Sequence, residues 1–349
     1  MGKKIYIYIA FVDFYAGFVA EESWIYRWLE QHGYGVELSD SPDYVVYSVF
    51  GEENLKYNDC VKIFWTGECQ SPDFNLCDYA IGFDYLEFGD RYIRYPLYYT
   101  YNSKAFEQME RKHLQTEEAI QGKKEFCSFV CSNGRASGAR VSFFNALNVV
   151  RKVDSGGKLL NNVGGPVVDK MAFQASHRFA IAFENTSYPG YTTEKIVEAY
   201  ASGCIPIYYG DPLITRDFNP KSFVNCADYG SFDEVVKRVI EIDDNPELLR
   251  QYLCAPALND GEMRRKAWER MDVFLENIFS QDKHHAMRYN RTYWGARIVR
   301  ERVRACKAYE HSLYYRLSQL YMHTIYPIAR RHRRLWRVTE WVMRKTGNK

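Results

Sequence analysis

Residues 178–212 read RFAIAFENTSYPGYTTEKIVEAYASGCIPIYYGDP, and this run decides the fold class. Phe179 to Phe183 is a short unbroken apolar stretch, the pattern of a strand covered on both faces. Pro189 and Gly190 end it and permit a tight turn. Thr192 or Thr193 can cap a following helix, Gly203 supplies its stop, and Cys204 to Tyr209 reads as the next buried strand. In α/β sheets ligands bind where loops leave the carboxyl ends of strands, beside helix N-termini. Asn185, Tyr191, Glu194 and Lys195 all fall there, so a phosphate-bearing ligand is expected at this turn.

The same pattern extends on both sides. Glu125 to Cys131 reads as a strand, Ser132 to Gly138 as a small-residue loop, and Ala139 to Val150 as a helix with Arg140 at its start. Upstream, Lys4–Val12, Asp43–Phe50, Val61–Trp65 and Asp78–Phe83 read as strands. Glu21–His32 is an amphipathic helix led by Trp24, Ile25, Trp28 and Leu29. Strands alternating with helices imply parallel α/β sheets. A chain of 349 residues exceeds one compact core, so two domains are expected. The polar stretch 103–121 is the connection between them. The expected division is 1–120, 121–283, and a tail over 284–349.

The net charge of +2 conceals an asymmetry. Residues 284–349 hold 16 Lys plus Arg against 3 acidic residues, which leaves the first 283 residues at −11. Leu313, Tyr314, Leu317, Leu320 and Tyr321 form a helical stripe that Pro327 breaks. Arg330 to Lys345 then interleaves arginines with Leu335, Trp336, Trp341 and Val342. A basic amphipathic helix on an anionic membrane is expected, ahead of a solvated tail or a nucleic-acid contact. The nine cysteines include no C-x-x-C pair, and Cys127, Cys131 and Cys204 lie inside apolar runs, as reduced thiols of a cytosolic protein do. No signal peptide and no membrane-spanning stretch is read, so the sequons at Asn185 and Asn290 are expected to be unmodified.

The usual phosphate motifs, G-x-x-x-x-G-K-[ST] and G-x-G-x-x-G after the first strand, are missing, and so is any D-x-D pair. A bound diphosphate would then place its charge on cationic side chains and a helix N-terminus. Arg140 and Lys195 suit that role; a cation in a first helical turn opposes the helix dipole, and an anion site would justify it. Glu194 reads either as an acceptor for ribose hydroxyls or as a carboxylate that merely suits a helix start. Glu68 follows Phe64-Trp65-Thr66-Gly67 at the carboxyl end of a strand, where it could act as a general base. The commoner case is a loop glutamate in water, and Asp13, Asp73 and Asp84 compete from similar positions. The histidines show no metal-ligand spacing, so no metal site is expected; His284-His285 opens the basic tail.

FENTSYPGYTTEKIVEAYASGCIPIYYGDP (residues 183–212) closely resembles the donor-binding motif of the α-1,3/4-fucosyltransferases, and DFNPKSFVN (217–225) its continuation. FWTGECQSPDFNLCDYAIGFDYLEFGDRYIRYPLYY (64–99) is similar to the acceptor-side segment of the bacterial, Helicobacter-type members. KKEFCSFVCSN (123–133) and VDSGGKLLNNVGG (153–165) resemble segments between the two. The likeness covers roughly residues 1–280. It implies a GT-B-like α/β fold, two Rossmann-like domains facing across a cleft, with a basic amphipathic helical tail behind them. It implies GDP-β-L-fucose as donor and transfer, with inversion, to the 3-hydroxyl of GlcNAc in N-acetyllactosamine-type glycans. Arg140, Asn185, Tyr191, Glu194 and Lys195 match the nucleotide-contacting positions, and Glu68 matches the proposed base. No cofactor is required in this reading, stimulation by Mn²⁺ or Mg²⁺ stays open, and so does 3- versus 4-linkage. Cys69 departs from the Asn that often follows the family's glutamate. The tail resembles basic C-termini of bacterial members, without their heptad arrays. It points to a cytoplasmic protein on the inner face of the plasma membrane, with no nucleic-acid partner. The rival readings are a transferase of another nucleotide sugar and a non-catalytic glycan- or membrane-binding module.

Overall fold

A computed structural model describes residues 5–132, 138–321 and 324. The first sheet has six parallel strands: β1 (Tyr6–Val12), β2 (Gly35–Leu38), β3 (Tyr44–Tyr47), β4 (Val61–Trp65), β5 (Tyr79–Gly82) and β6 (Tyr92–Arg94). Their order is β2-β1-β3-β4-β5-β6. β3 and β5 are buried at every position, as strands covered on both faces must be. Helix α1 (Trp24–Gln31) is capped by Ser23, whose hydroxyl accepts the Tyr26 N–H at 3.2 Å, and it buries Ile25, Trp28 and Leu29. α2 (Ser103–Glu110) and α3 (Glu117–Gln121) make the connection between the sheets.

The second sheet, again parallel, contains β7 (Glu125–Phe129), β8 (Val153–Ser155), β9 (His177–Phe183), β10 (Ile205–Tyr209) and β11 (Val224–Asn225), in the order β11-β10-β9-β7-β8. Its helices are α4 (Ala139–Val150), α5 (Lys170–Ala175), α6 (Glu194–Ala201), α7 (Phe232–Asp244) and α8 (Pro246–Cys254). Two parallel α/β sheets facing across a cleft form the GT-B-like arrangement that the sequence implies. β2, β6 and β8 were not anticipated. Each is three or four residues long, too short for a periodic signal.

Packing also divides the chain differently from the expected boundaries. α9 (Met263–Phe279) follows the second sheet in sequence but lies on the first. Phe274 packs on Tyr79 at 6.0 Å, Phe279 on Tyr44 at 4.9 Å, and the Trp28 indole N–H donates to Asp272 at 2.8 Å. The helical period shows that one face is buried, and not which sheet buries it. After α10 (Lys283–Ala286), the wholly buried Asp78 accepts the backbone N–H groups of Arg288 (2.6 Å) and Tyr289 (2.9 Å) and the Arg291 guanidinium (2.8 and 3.0 Å). The chain through Arg291 is therefore tied to the first sheet, beyond the expected start of the tail. α11 (Tyr293–His311) and α12 (Leu313–Leu320) follow. Among the described residues no helix is long and apolar enough to cross a membrane. Pro327 and the stretch 330–345 lie outside the described residues.

The sheets meet through a buried ion pair. Arg94, at the end of β6, donates to Asp217 at 2.6 Å, and the Tyr98 hydroxyl donates to the same carboxylate at 3.0 Å. The Tyr85 ring lies between the guanidinium groups of Arg94 (4.1 Å) and Arg216 (4.5 Å). Gly190, with φ of +83°, brings the loop after β9 against the end of β5. A Cβ there would stand 2.4 Å from the Phe83 carbonyl oxygen, so only glycine fits. Removing one partner of a buried pair strands the other. Asp217→Ala is expected to lower the unfolding free energy by roughly 3–5 kcal/mol in urea titrations. A loss within ordinary surface-mutation scatter would show that the sheets hold together without the pair.

Candidate active site

In each sheet the strand order reverses where a ligand crevice belongs, between β1 and β3 and between β7 and β9. Both crevices are present. At the carboxyl ends of β7 and β9, a cavity of about 310 Å³ is lined by Ser132, Arg140, Asn185, Tyr191, Glu194 and Lys195, among others. At the carboxyl ends of β1, β3 and β4, a groove of about 820 Å³ is lined by Phe14, Phe18, Ser48 and Trp65, with Trp24 and Trp268 from the helices. Cavity and groove share Gly67, Glu68 and Leu97. The structure thus brings all six residues singled out in the sequence to one cavity.

The end of β9 orients both cations. The buried Arg140 donates to the Phe183 carbonyl from Nε (3.2 Å) and Nη2 (2.7 Å), and from Nη2 to Asn185 Oδ1 at 2.9 Å. Between those two residues, Glu184 is wholly buried, and the sequence reading missed it. Its carboxylate accepts the Thr193 N–H (2.8 Å) and hydroxyl (2.7 Å), and pairs with Lys195 Nζ at 2.9 Å. Thr193 is the N-cap residue of α6, but its side chain turns to Glu184 and caps nothing. Glu184 closes an apolar strand and resembles the first residue of a loop. Its partners lie nine and eleven positions onward, where spacing gives no signal.

An anion site was expected to justify Lys195 in a first helical turn, and the structure supplies this lysine with protein partners as well. Its ammonium already meets Glu184, Thr193 Oγ1 (2.7 Å) and Glu194 Oε1 (3.2 Å). Burial alone would push its pKa down, but Glu184 and then Glu194 more than offset this, and the pKa lies above the ordinary lysine value. For Glu194 burial acts upward and is outweighed, chiefly by Lys195, so its pKa is lowered. An ammonium has three protons, so a phosphate oxygen arriving at Lys195 must replace one of these partners. Lys170, also unforeseen, lines the same cavity and pairs with Glu198 at 2.5 Å.

Glu68 is exposed at the seam between cavity and groove. Its backbone N–H donates to Thr66 Oγ1 at 3.0 Å, and among the described residues its carboxylate makes no hydrogen bond or ion pair. Its rivals are engaged. Asp13 accepts the backbone N–H groups of Glu53 and Asn54 and the Asn54 amide at 2.8–2.9 Å. Asp73 accepts two from Asn75, and Asp84 accepts the Ser71 hydroxyl at 2.8 Å. Of these four carboxylates Glu68 alone accepts no hydrogen bond among the described residues. Burial pushes the neighbouring Cys69 thiol up to about 11, so it stays protonated at neutral pH. Among the described residues no group of three or more His, Cys, Asp or Glu side chains is placed to hold a metal ion.

Two family models cover most of the chain: the alpha-(1,3)-fucosyltransferase FucT N-terminal domain over residues 9–101, and the glycosyltransferase family 10 (fucosyltransferase) C-terminal domain over 120–255. The chain is 35% identical over 289 residues to alpha-(1,3)-fucosyltransferase FucT of Helicobacter pylori, covering 71% of this chain and 60% of that protein. It is 28% identical over 137 residues to human 4-galactosyl-N-acetylglucosaminide 3-alpha-L-fucosyltransferase 9, covering 38% and 37%. Among solved structures, an alpha1,3-fucosyltransferase with GDP-fucose superposes with a TM-score of 0.66 at 31% identity, covering 79% of this chain and 93% of that one. The chain therefore spans about 60% of the length of the Helicobacter relative.

The Glu184–Lys195 pair makes a directional prediction. In Glu184→Gln, burial is opposed by Glu194 alone, so the Lys195 titration, followed by NMR at its side-chain methylene, should move to lower pH. A titration unmoved from wild type would assign the raised pKa to Glu194.

Proposed function

The chain belongs to the α-(1,3)-fucosyltransferases of glycosyltransferase family 10, and we propose that it transfers L-fucose from GDP-β-L-fucose, with inversion, to the 3-hydroxyl of GlcNAc in N-acetyllactosamine-type glycans. One observation carries the reading: the cavity that gathers Arg140, Lys170, Lys195 and a helix N-terminus meets the groove at Glu68, whose carboxylate is unengaged. In the cavity, Arg140 and Lys195 take the diphosphate charge together with the first N–H groups of α6. Glu194 accepts from the ribose, while Asn185 and Tyr191 frame the nucleotide.

As the bond from the fucose anomeric carbon to the diphosphate oxygen breaks, positive charge develops on the sugar. The GlcNAc 3-oxygen attacks from the opposite face and passes its proton to Glu68, so one displacement inverts the centre and releases GDP. The departing negative charge falls on Arg140 and Lys195, and the reading requires no divalent cation. Glu68→Gln is expected to cut turnover by roughly 10²–10⁴-fold, the usual contribution of a general base, while calorimetry still records GDP binding. Near-normal turnover in this variant would remove Glu68 from the mechanism.

The C-terminal side is proposed to rest on an anionic membrane at the cytoplasmic face. Trp294, Ile298 and Tyr309 share one exposed face of α11, next to Arg297, Arg300, Arg304 and Lys307, and Leu313, Leu317 and Leu320 continue the exposed apolar surface. In flotation assays the full chain should rise with anionic vesicles and much less with neutral ones, and a variant ending at Thr324 should rise less. Equal partitioning of all samples would refute the membrane contact.

A further inference from the structure

The groove beyond Glu68 is built from rings that four separate segments supply. Phe14 and Phe18, from the loop after β1, stack at 4.0 Å and 12°. The pair leans on Trp65, at the end of β4, with centroids 5.4 and 6.5 Å away. Trp24 of α1 meets Trp65 edge-on at 5.3 Å and Trp268 of α9 at 6.1 Å. None is fully withdrawn from water: Phe14, Phe18, Trp24 and Trp65 are half-buried and Trp268 is 38% exposed, whereas the core Trp28 is 1% exposed. Aromatic surface held open forgoes burial free energy, which marks a contact site.

The loop bearing the phenylalanines is preset. Asp13, immediately before Phe14, has φ of +60°, a left-handed conformation uncommon for non-glycine residues that Asp adopts more readily than most. Three hydrogen bonds from Glu53 and Asn54 to its carboxylate hold it in place. Gly51 leaves room for that carboxylate; a Cβ there would stand 2.4 Å from Asp13 Oδ1.

Rings facing a groove that is also lined by Glu22, Arg27, Ser48 and Thr66 suit a ligand with one apolar face and a hydroxylated edge, which describes a pyranose. We propose that the Phe14–Phe18–Trp65 platform binds the galactose of the acceptor disaccharide by its apolar C–H face, and so sets the preference for a disaccharide over GlcNAc alone. The proposal rests on the reading that GlcNAc is attacked through its 3-oxygen at Glu68. Galactose is carried on the adjacent 4-oxygen, so it lies one sugar from Glu68. Trp65 stands three residues before Glu68, at the end of the strand that delivers it.

The test is steady-state transfer from GDP-fucose to N-acetyllactosamine and to free GlcNAc, by wild type, the double variant Phe14→Leu/Phe18→Leu, and Phe18→Tyr. The leucines keep apolar bulk and remove the ring faces. They should reduce the preference in kcat/KM for the disaccharide about tenfold, mostly through KM, the scale of lost ring contacts, and Phe18→Tyr should preserve it. A preference unaltered in the leucine variant overturns the proposal. So does an equal loss for both sugars, which would mean that the loop only supports Glu68. A wild type that fucosylates both sugars equally well overturns the platform alone. Wild type that fucosylates neither sugar, while still binding GDP, overturns the acceptor reading beneath it as well.

Discussion

A carboxylate with no access to water, Glu184, stands at the end of β9, and the arrangement of the cavity depends on its neutralisation. A charge withdrawn from solvent is tolerated only when paired and hydrogen-bonded. Glu184 meets that requirement through Lys195 and both polar groups of Thr193, which fixes the first turn of α6 against the strand. The flanking Phe183 carbonyl and Asn185 amide hold Arg140 from the same three-residue segment. Two cations from different helices are thereby aimed by one strand end. A shift of β9 would displace both together.

Under the proposed function, this arrangement would make diphosphate binding an exchange of partners. Lys195 arrives with its protons engaged, and two carboxylates keep it charged despite its burial. A phosphate oxygen gains one hydrogen bond and displaces another, so the net gain is smaller than for an idle ammonium. What the enclosure supplies is a cation already oriented and already protonated, which costs no reorganisation when charge develops on a leaving group.

The sequence makes β9 and β10 legible because they are unbroken apolar runs, β9 followed by the Pro189-Gly190 turn and β10 set off from α6 by Gly203. The six residues proposed for the site, which the structure gathers around one cavity, were singled out from their places at strand ends and helix starts and from family likeness. What stayed hidden depended on contacts distant in sequence. Glu184 is inconspicuous until Thr193 and Lys195 fold back on it. The engagement of Asp13, Asp73 and Asp84, which distinguishes Glu68 from them, arises from turns that periodicity does not register. α9 shows its apolar stripe plainly, but its destination on the first sheet follows from Asp272 and Phe274 meeting Trp28 and Tyr79, far upstream.

The two half-sites are mechanically joined. Gly190 lies against the Phe83 carbonyl, Tyr191 packs edge-on against the Phe83 ring at 5.3 Å, and the Tyr188 hydroxyl reaches Ser71 at 3.2 Å. The loop between β9 and α6, which carries Tyr191 into the cavity, is thus seated on the sheet that carries Glu68. Behind it, Arg94 and Asp217 clamp the same two sheets. A displacement of the first sheet would therefore disturb the cavity as well as the groove. In the proposed displacement, the separation of the donor's anomeric carbon from the acceptor oxygen is a property of this interface as much as of either site, since in-line attack tolerates only small errors in separation. Gly190 keeps this contact close, since a Cβ there would stand 2.4 Å from the Phe83 carbonyl oxygen.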